Sequence, residues 1–260
     1  MKITLFTSNS LRHNYFINYL SKYCKELYVV QECKSIFTEK SYDTTSDTNL
    51  VQDYFKNVEK AQRKFFPSFY VKGQNISILS ILYGELNKCP ISYLKKFLKS
   101  DVYIVLGSSY IKGELVNFLI RKKAINIHAG VTPFYRGSDC NFWALFDNNP
   151  HLVGSTIHLL SKGLDDGPVL YHAMSKNKSN IFNYTMSTLL SAFKSIGKKI
   201  KDRSIFNIQP AVLDSSLEIR YTKKIQFNSQ TLEKFYKKKI NLNSKKFEKS
   251  LLKDPIFFDN

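Results

Sequence analysis

Apolar residues along this chain recur with two periods, and the switches between them outline a fold. Residues 2–7 (Lys-Ile-Thr-Leu-Phe-Thr) read as a short buried strand. Ser8-Asn9-Ser10 follows as a turn with helix N-cap chemistry. Tyr15, Phe16, Tyr19 and Leu20 then repeat three to four apart, as one side of a helix running to about Tyr23. Leu27-Tyr28-Val29-Val30-Gln31 is a second strand. A strand, a helix and a strand in that order open a doubly wound α/β sheet.

Residues 33–48 are polar, with Thr, Ser and Asp clustered, and read as a loop. Asp53 to Phe66 carries apolar positions at 54, 55, 58, 61 and 65, the stripe of an amphipathic helix. Ser77 to Leu82 and Pro90 to Leu98 read as helical or mixed segments. Asp101 to Leu106 is a continuous apolar run closed by Gly107, the pattern of a buried parallel strand. Ile111 to Phe118 continues as helix, and Lys123 to His128 is the next strand. Two more strands are expected at Val153 to Leu160 and Val169 to Met174, and a long helix at Ile181 to Ile200. The chain then changes character. Residues 1–202 read as one catalytic domain, and 203–260 as a small Lys-rich C-terminal appendage with a helix at Ser229 to Lys239.

The chemistry concentrates between Ala124 and Tyr171. A strand repeats every two residues, so Asn126 and His128 share a side while Ile125 and Ile127 take the other. Two polar side chains at the end of an apolar run are poor core material. A Thr156-x-His158 pair and an Asp165-x-Gly167 follow. An amide can donate to a developing oxyanion, an imidazole can donate or shuttle a proton, and a carboxylate can orient and charge the imidazole. Together they suit acyl transfer to an incoming nucleophile.

This constellation resembles the folate-dependent formyltransferases, whose motif is Asn-x-His followed later by Asp-x-Gly. The likeness extends through His128-Ala129-Gly130, Pro133-x-Tyr135-Arg136-Gly137 and Trp143-Ala144-Leu145, and is clear over roughly residues 100–172. In this form it is most similar to the members that formylate amino sugars on nucleotide carriers. The resemblance implies a Rossmann-like, mostly parallel sheet. It implies a triad of Asn126, His128 and Asp165, with Gly167 selecting Asp165 over Asp166. It implies 10-formyltetrahydrofolate as cosubstrate, held by Gly107, Ser109, Tyr110, Ile111 and Leu164. The acceptor would be a nucleotide-linked amino sugar used in surface polysaccharide synthesis, facing the turn of Asn9, Ser10, Arg12 and His13. Arg136 would either clamp a phosphate or pin its own turn by bonding carbonyls. His158 would either line the site or pack beneath it.

Composition changes this picture only in part. The chain has 260 residues, of which 43% are hydrophobic, enough for a sizeable core. No apolar run approaches the ~20 residues that span a bilayer, and the N-terminus reads as a strand, so a cytoplasmic protein without a membrane partner is expected. Cys24, Cys33, Cys89 and Cys140 are scattered as free thiols, and His13, His151 and His172 lack metal-ligand spacing, so no metal is expected. No Gly-x-Gly-x-x-Gly is present, so no dinucleotide is indicated. The net charge of +18 fits an anionic partner. It also fits a compositional bias, because Lys, Asn, Ile, Phe and Tyr are abundant together.

Alternatives follow from the same motif. A methionyl-tRNA formyltransferase would suit the charge, but its large C-terminal barrel has too little chain after Lys201. A formyltetrahydrofolate deformylase would use water in place of the amine. A catalytically silent RNA-binding module would use the Lys run at 234–239, yet such runs are more often solvated faces, so no specific nucleic acid is expected. The 33–48 loop and the tail are each candidate surfaces for a homodimer or a sugar lid.

Overall fold

The first strand is the axis of the molecule. β1 (Lys2–Ser8) sends Ile3 and Leu5 into one hydrophobic core and Phe6 into another, all three fully buried. Thr4 is also buried, and its hydroxyl donates to the Phe97 carbonyl. A strand buried on both faces needs covering layers on both. The computed structural model, which describes residues 1–34, 48–67, 70–176, 178–243 and 251, supplies them.

Seven strands form one sheet in the order β3-β2-β1-β4-β5-β7-β8. β2 (Glu26–Cys33), β3 (Ile76–Leu82), β4 (Val102–Leu106) and β5 (Ile125–His128) run parallel to β1. β7 (Ser155–Leu159) and β8 (Val169–Ala173) add antiparallel. α1 (Leu11–Leu20), α2 (Thr48–Phe65) and α5 (Ile181–Lys201) bring Phe16, Ala61, Phe193 and Ile196 into the core with Ile3 and Leu5. α3 (Gly113–Arg121) brings Leu115 and Leu119 to the Phe6 side, beside Leu86 and Leu94 from short helical turns. This is the doubly wound α/β arrangement that the sequence predicts.

One strand departs from the sequence reading. Residues 77–82 look helical or mixed, yet β3 is an extended edge strand paired along its length with β2. Ile78 and Leu82 lie on its exposed side, 41% and 63% accessible. With apolar residues on both sides, no alternation was there to read. The loop expected at 33–48 falls, from 35 to 47, outside the described residues.

A third core joins the middle of the chain to its C-terminal region. Phe142 and Trp143 of α4 (Cys140–Phe146) pack with Tyr184, Phe227, Leu232 and Phe235. β9 (Arg220–Thr222) pairs with β6 (Tyr135–Gly137), and Arg220 holds Asp147 through two nitrogens at 2.9 and 2.6 Å. α6 (Ser229–Tyr236) buries Leu232 and Phe235 and ends before the Lys237–Lys239 run. Among the described residues, no helix is long and apolar enough to cross a membrane.

Candidate active site

In open α/β sheets, ligands bind beyond the carboxyl ends of the strands. β4 and β5 are parallel neighbours, so Gly107 and His128 emerge at the same edge. The strand register sets Asn126 opposite His158 and His128 opposite Thr156. The loop from β7 to β8 then brings in Asp165. Its Oδ2 lies 3.3 Å from His128 Nδ1, and its Oδ1 accepts from Asn126 Nδ2 at 3.3 Å. Asp166 turns away: it accepts from the Ser161 hydroxyl and sits 3.9 Å from Arg136. The absent side chain at Gly167 makes this loop possible, since a Cβ there would lie 1.8 Å from the Leu159 carbonyl oxygen.

His128 and Asp165 side chains are each only 9% exposed. The far nitrogen of His128, Nε2, is buried and has no hydrogen-bond partner among the described residues. A buried polar atom without a partner costs free energy, and such atoms concentrate where a ligand completes them. Cys140 lies close by, but burial pushes its thiol well above the usual range, reinforced by the charges of Asp165 and Asp139. It is not an activated nucleophile.

His158 sits within the site and not merely beneath it. Its Nδ1 is 2.9 Å from the Leu159 carbonyl, which places the ring proton there. Nε2 is then the acceptor for Asn126 Nδ2 at 2.9 Å. Burial drives the pKa down to about 4, with the charge of Asp165 opposing it, so the ring is neutral at pH 7. A neutral acceptor on one side and a carboxylate on the other fix the amide of Asn126.

His172 is likewise lowered to about 4 by burial, and His13 falls well below its usual value for the same reason. For all three the folded pKa lies below the unfolded one, so the unfolded chain binds more protons in between. Stability is then retained above about pH 6.5 and lost as the pH falls toward 4, with each histidine withdrawing up to about 1.4 kcal/mol per pH unit. Denaturant midpoints measured from pH 7 to pH 4 are expected to fall, and His172→Gln should flatten that slope. An unchanged slope would contradict the assignment.

A cavity of about 940 Å³ opens over these groups. It is lined by Asn126, His128 and Asp165, by Gly107, Ser109, Tyr110, Ile111 and Leu164, and by Asn9, Ser10, Arg12 and His13. One sequence-predicted residue is not brought in. Arg136, expected toward the acceptor, instead donates to the Leu164 carbonyl at 3.1 and 2.8 Å and to Glu218 at 2.9 Å. Of the two roles open to it, pinning carbonyls is the one observed. Asn9 and His13 are also occupied: Asn9 brackets the Lys34 backbone at 3.1 and 3.4 Å, and His13 Nδ1 is 2.7 Å from Ser8 Oγ.

Sequence reasoning missed Glu32. This fully buried residue at the end of β2 accepts from Ser109 N, from Ser109 Oγ at 2.7 Å and from Gly84 N at 2.9 Å. It also missed Lys34, Asp139 and Lys224 at the cavity wall. None carries a local motif, because each meets the site through contacts distant in sequence. Among the described residues, no cluster of three or more His, Cys, Asp or Glu side chains could hold a metal ion.

The sequence model of the formyl transferase family matches residues 53–201, more than half of the chain. The chain belongs to that family. The matched span contains Asn126, His128 and Asp165. A methionyl-tRNA formyltransferase of Thermosynechococcus vestitus is 35% identical over 95 residues, 36% of this chain and 27% of that protein. One of Clostridium tetani is 31% identical over 107 residues, 41% of this chain and 34% of that protein. The chain thus matches only about a quarter to a third of these curated relatives. Among solved structures, a sugar N-formyltransferase from a Shewanella species superposes with a TM-score of 0.53 at 17% identity, covering 87% of this chain and 78% of its own. A 4-N formyltransferase from Francisella tularensis gives 0.51 at 14% identity, covering 90% and 86%. These likenesses establish a shared fold.

Proposed function

We propose that this formyltransferase family member moves a formyl group from 10-formyltetrahydrofolate to the amine of a nucleotide-linked amino sugar. The observation that carries the chemistry is the pairing of His128 with Asp165 on the cavity wall, Oδ2 3.3 Å from Nδ1, which leaves the buried Nε2 as the unpartnered ring nitrogen. The acceptor amine attacks the formyl carbon, and a tetrahedral oxyanion forms. His128, as the imidazolium, donates to that oxygen, where it carries more charge than the ground-state carbonyl, while Asn126, whose two amide N–H groups are engaged by His158 and Asp165, holds the carboxylate in place behind the ring. Asp165 holds the imidazole and helps pass the amine proton toward the departing folate nitrogen. The nucleophile belongs to the substrate, so no Ser or Cys is needed.

The cavity suits a pterin. A flat heterocycle needs backbone donors and acceptors beside an apolar wall, and the Gly107–Ile111 loop lies there with Leu106 and Leu164. Glu32 braces this loop through Ser109. Glu32→Gln is expected to weaken folate binding about tenfold, since a charged hydrogen-bond acceptor is lost from the support. Calorimetric titration with a folate analogue checks this, and an unchanged affinity would remove Glu32 from the site.

The sugar acceptor draws support from the sugar N-formyltransferase of the Shewanella species, whose superposition covers 87% of this chain. Surface polysaccharide synthesis and a cytoplasmic location belong to the same reading. A charged initiator tRNA is the second reading, favoured by the names of the curated relatives. A panel of nucleotide-linked amino sugars, tested for a rise in melting temperature with a non-hydrolysable folate present, separates them. Binding at a hundredfold excess over the dissociation constant stabilises by ~2.7 kcal/mol. No shift with any member of the panel would count against the sugar.

A further inference from the structure

Three cations from three separate parts of the chain meet on one wall of the cavity. Arg12 comes from the first turn of α1, Lys34 from the end of β2, and Lys224 from the C-terminal region. The Lys34 ammonium lies 4.0 Å over the Tyr83 ring. The Asn9 amide brackets the Lys34 backbone on both sides. Lys224 is anchored between Thr222, whose hydroxyl donates to Ser138 O at 2.6 Å, and the buried Phe227. The three charges disfavour one another: the pKa of Lys34 is lowered by burial first, then by Lys224 and Arg12. Of the carboxylates nearby, Asp139 faces Arg12 and Lys224, and its pKa is raised by burial. Glu32, which Lys34 also feels, is committed to Ser109 and Gly84.

A second observation comes from Ser10. It caps α1 in extended conformation, but its side chain makes no capping bond, and its Oγ is buried without a hydrogen-bond partner. A serine at a helix N-terminus ordinarily turns its hydroxyl to the first free N–H groups. Here the His13 N–H turns to the Ser10 carbonyl at 2.9 Å, the hydroxyl is left for something else, and helix N-termini favour anions.

We propose that Arg12, Lys34 and Lys224, with Ser10 Oγ, form a subsite for the pyrophosphate of the acceptor, and that Lys224 makes the C-terminal region part of acceptor recognition. This rests on the nucleotide-linked acceptor proposed above. Three cations match a diphosphate better than a single carboxylate, because a multiply charged group relieves more of their mutual repulsion. Lysines bind phosphate as point charges without demanding a planar partner.

The test is calorimetric titration of the full chain with inorganic pyrophosphate, and separately with mono- and triglutamyl folate. Lys34→Gln and Lys224→Gln are each expected to weaken pyrophosphate at least about tenfold, the loss of one charge-assisted contact, and to leave both folates within about twofold. Lys60→Gln, on the exposed face of α2, is the control and should change nothing. Unchanged pyrophosphate affinity in both variants would overturn the proposal. So would an equal loss in the control, or a loss confined to triglutamyl folate. If no amino sugar proves to be an acceptor while pyrophosphate binding still depends on Lys34 and Lys224, the function proposed above falls and the subsite stands.

Discussion

Replacing His128 with alanine or Asp165 with asparagine is expected to lower turnover at least about a hundredfold and to leave folate affinity nearly intact. Both side chains act on charge that exists only at the transition state. His128 presents an unpartnered Nε2, and Asp165 stands 3.3 Å behind its Nδ1. Removing a donor of this kind typically costs ~3–4 kcal/mol of barrier. Single-turnover rates and folate titrations on the same variants check both halves of the statement. Asp166→Asn is the internal comparison. Its carboxylate engages Ser161 and approaches Arg136, and neither contact reaches His128. It should therefore be far milder. Equal loss of folate binding and turnover in His128→Ala would mean that the imidazole serves binding and not the reaction.

The second large effect is structural. Gly137 joins β6 to the triad: its φ is +94°, its N–H points to Asp165 Oδ2 at 3.4 Å, and its strand pairs with β9. A Cβ there would lie 2.1 Å from the Thr222 carbonyl oxygen, a backbone atom that cannot swing aside. Gly137→Ala must break the β6–β9 pairing or distort it. A loss on the order of 3 kcal/mol is expected, lowering Tm by roughly 6–12 °C for a chain of this size. Gly113→Ala isolates the conformational part, because Gly113 has φ +65° with nothing within 4 Å of its Cβ position. It should cost about 1 kcal/mol. Thermal unfolding of the two variants side by side checks the comparison. Equal losses would show that the contact with Thr222 contributes nothing beyond strain.

The strands flanking the site were legible because both faces of β1 and β4 are buried, which leaves uninterrupted apolar runs. Asn126 and His128 stood out because a polar pair with period two broke such a run. Asp165 was separable from Asp166 through Gly167, and the 1.8 Å approach to the Leu159 carbonyl supplies the physical reason for that glycine. What escaped notice depends on contacts across the fold. β3 hid because Ile78 and Leu82 face outward. Glu32 meets Ser109 across 77 positions of sequence, and no local pattern marks such a pair. Lys34 and Lys224 looked like two more lysines in a chain of net charge +18. Arg136 looked the same whether it held a phosphate or the Leu164 carbonyl. Only the carbonyl's position distinguishes the two, and a nearby loop sets it.

The measurement that bears most directly on the account is formyl transfer itself, from 10-formyltetrahydrofolate, to nucleotide-linked amino sugars and to methionyl-tRNA at physiological salt. Binding to RNA would be uninformative, since a net charge of +18 gives weak, salt-sensitive association by itself. A formamido product is expected on at least one amino sugar nucleotide, abolished in His128→Ala, with no transfer to methionyl-tRNA. Efficient transfer to methionyl-tRNA with none to any amino sugar would contradict it.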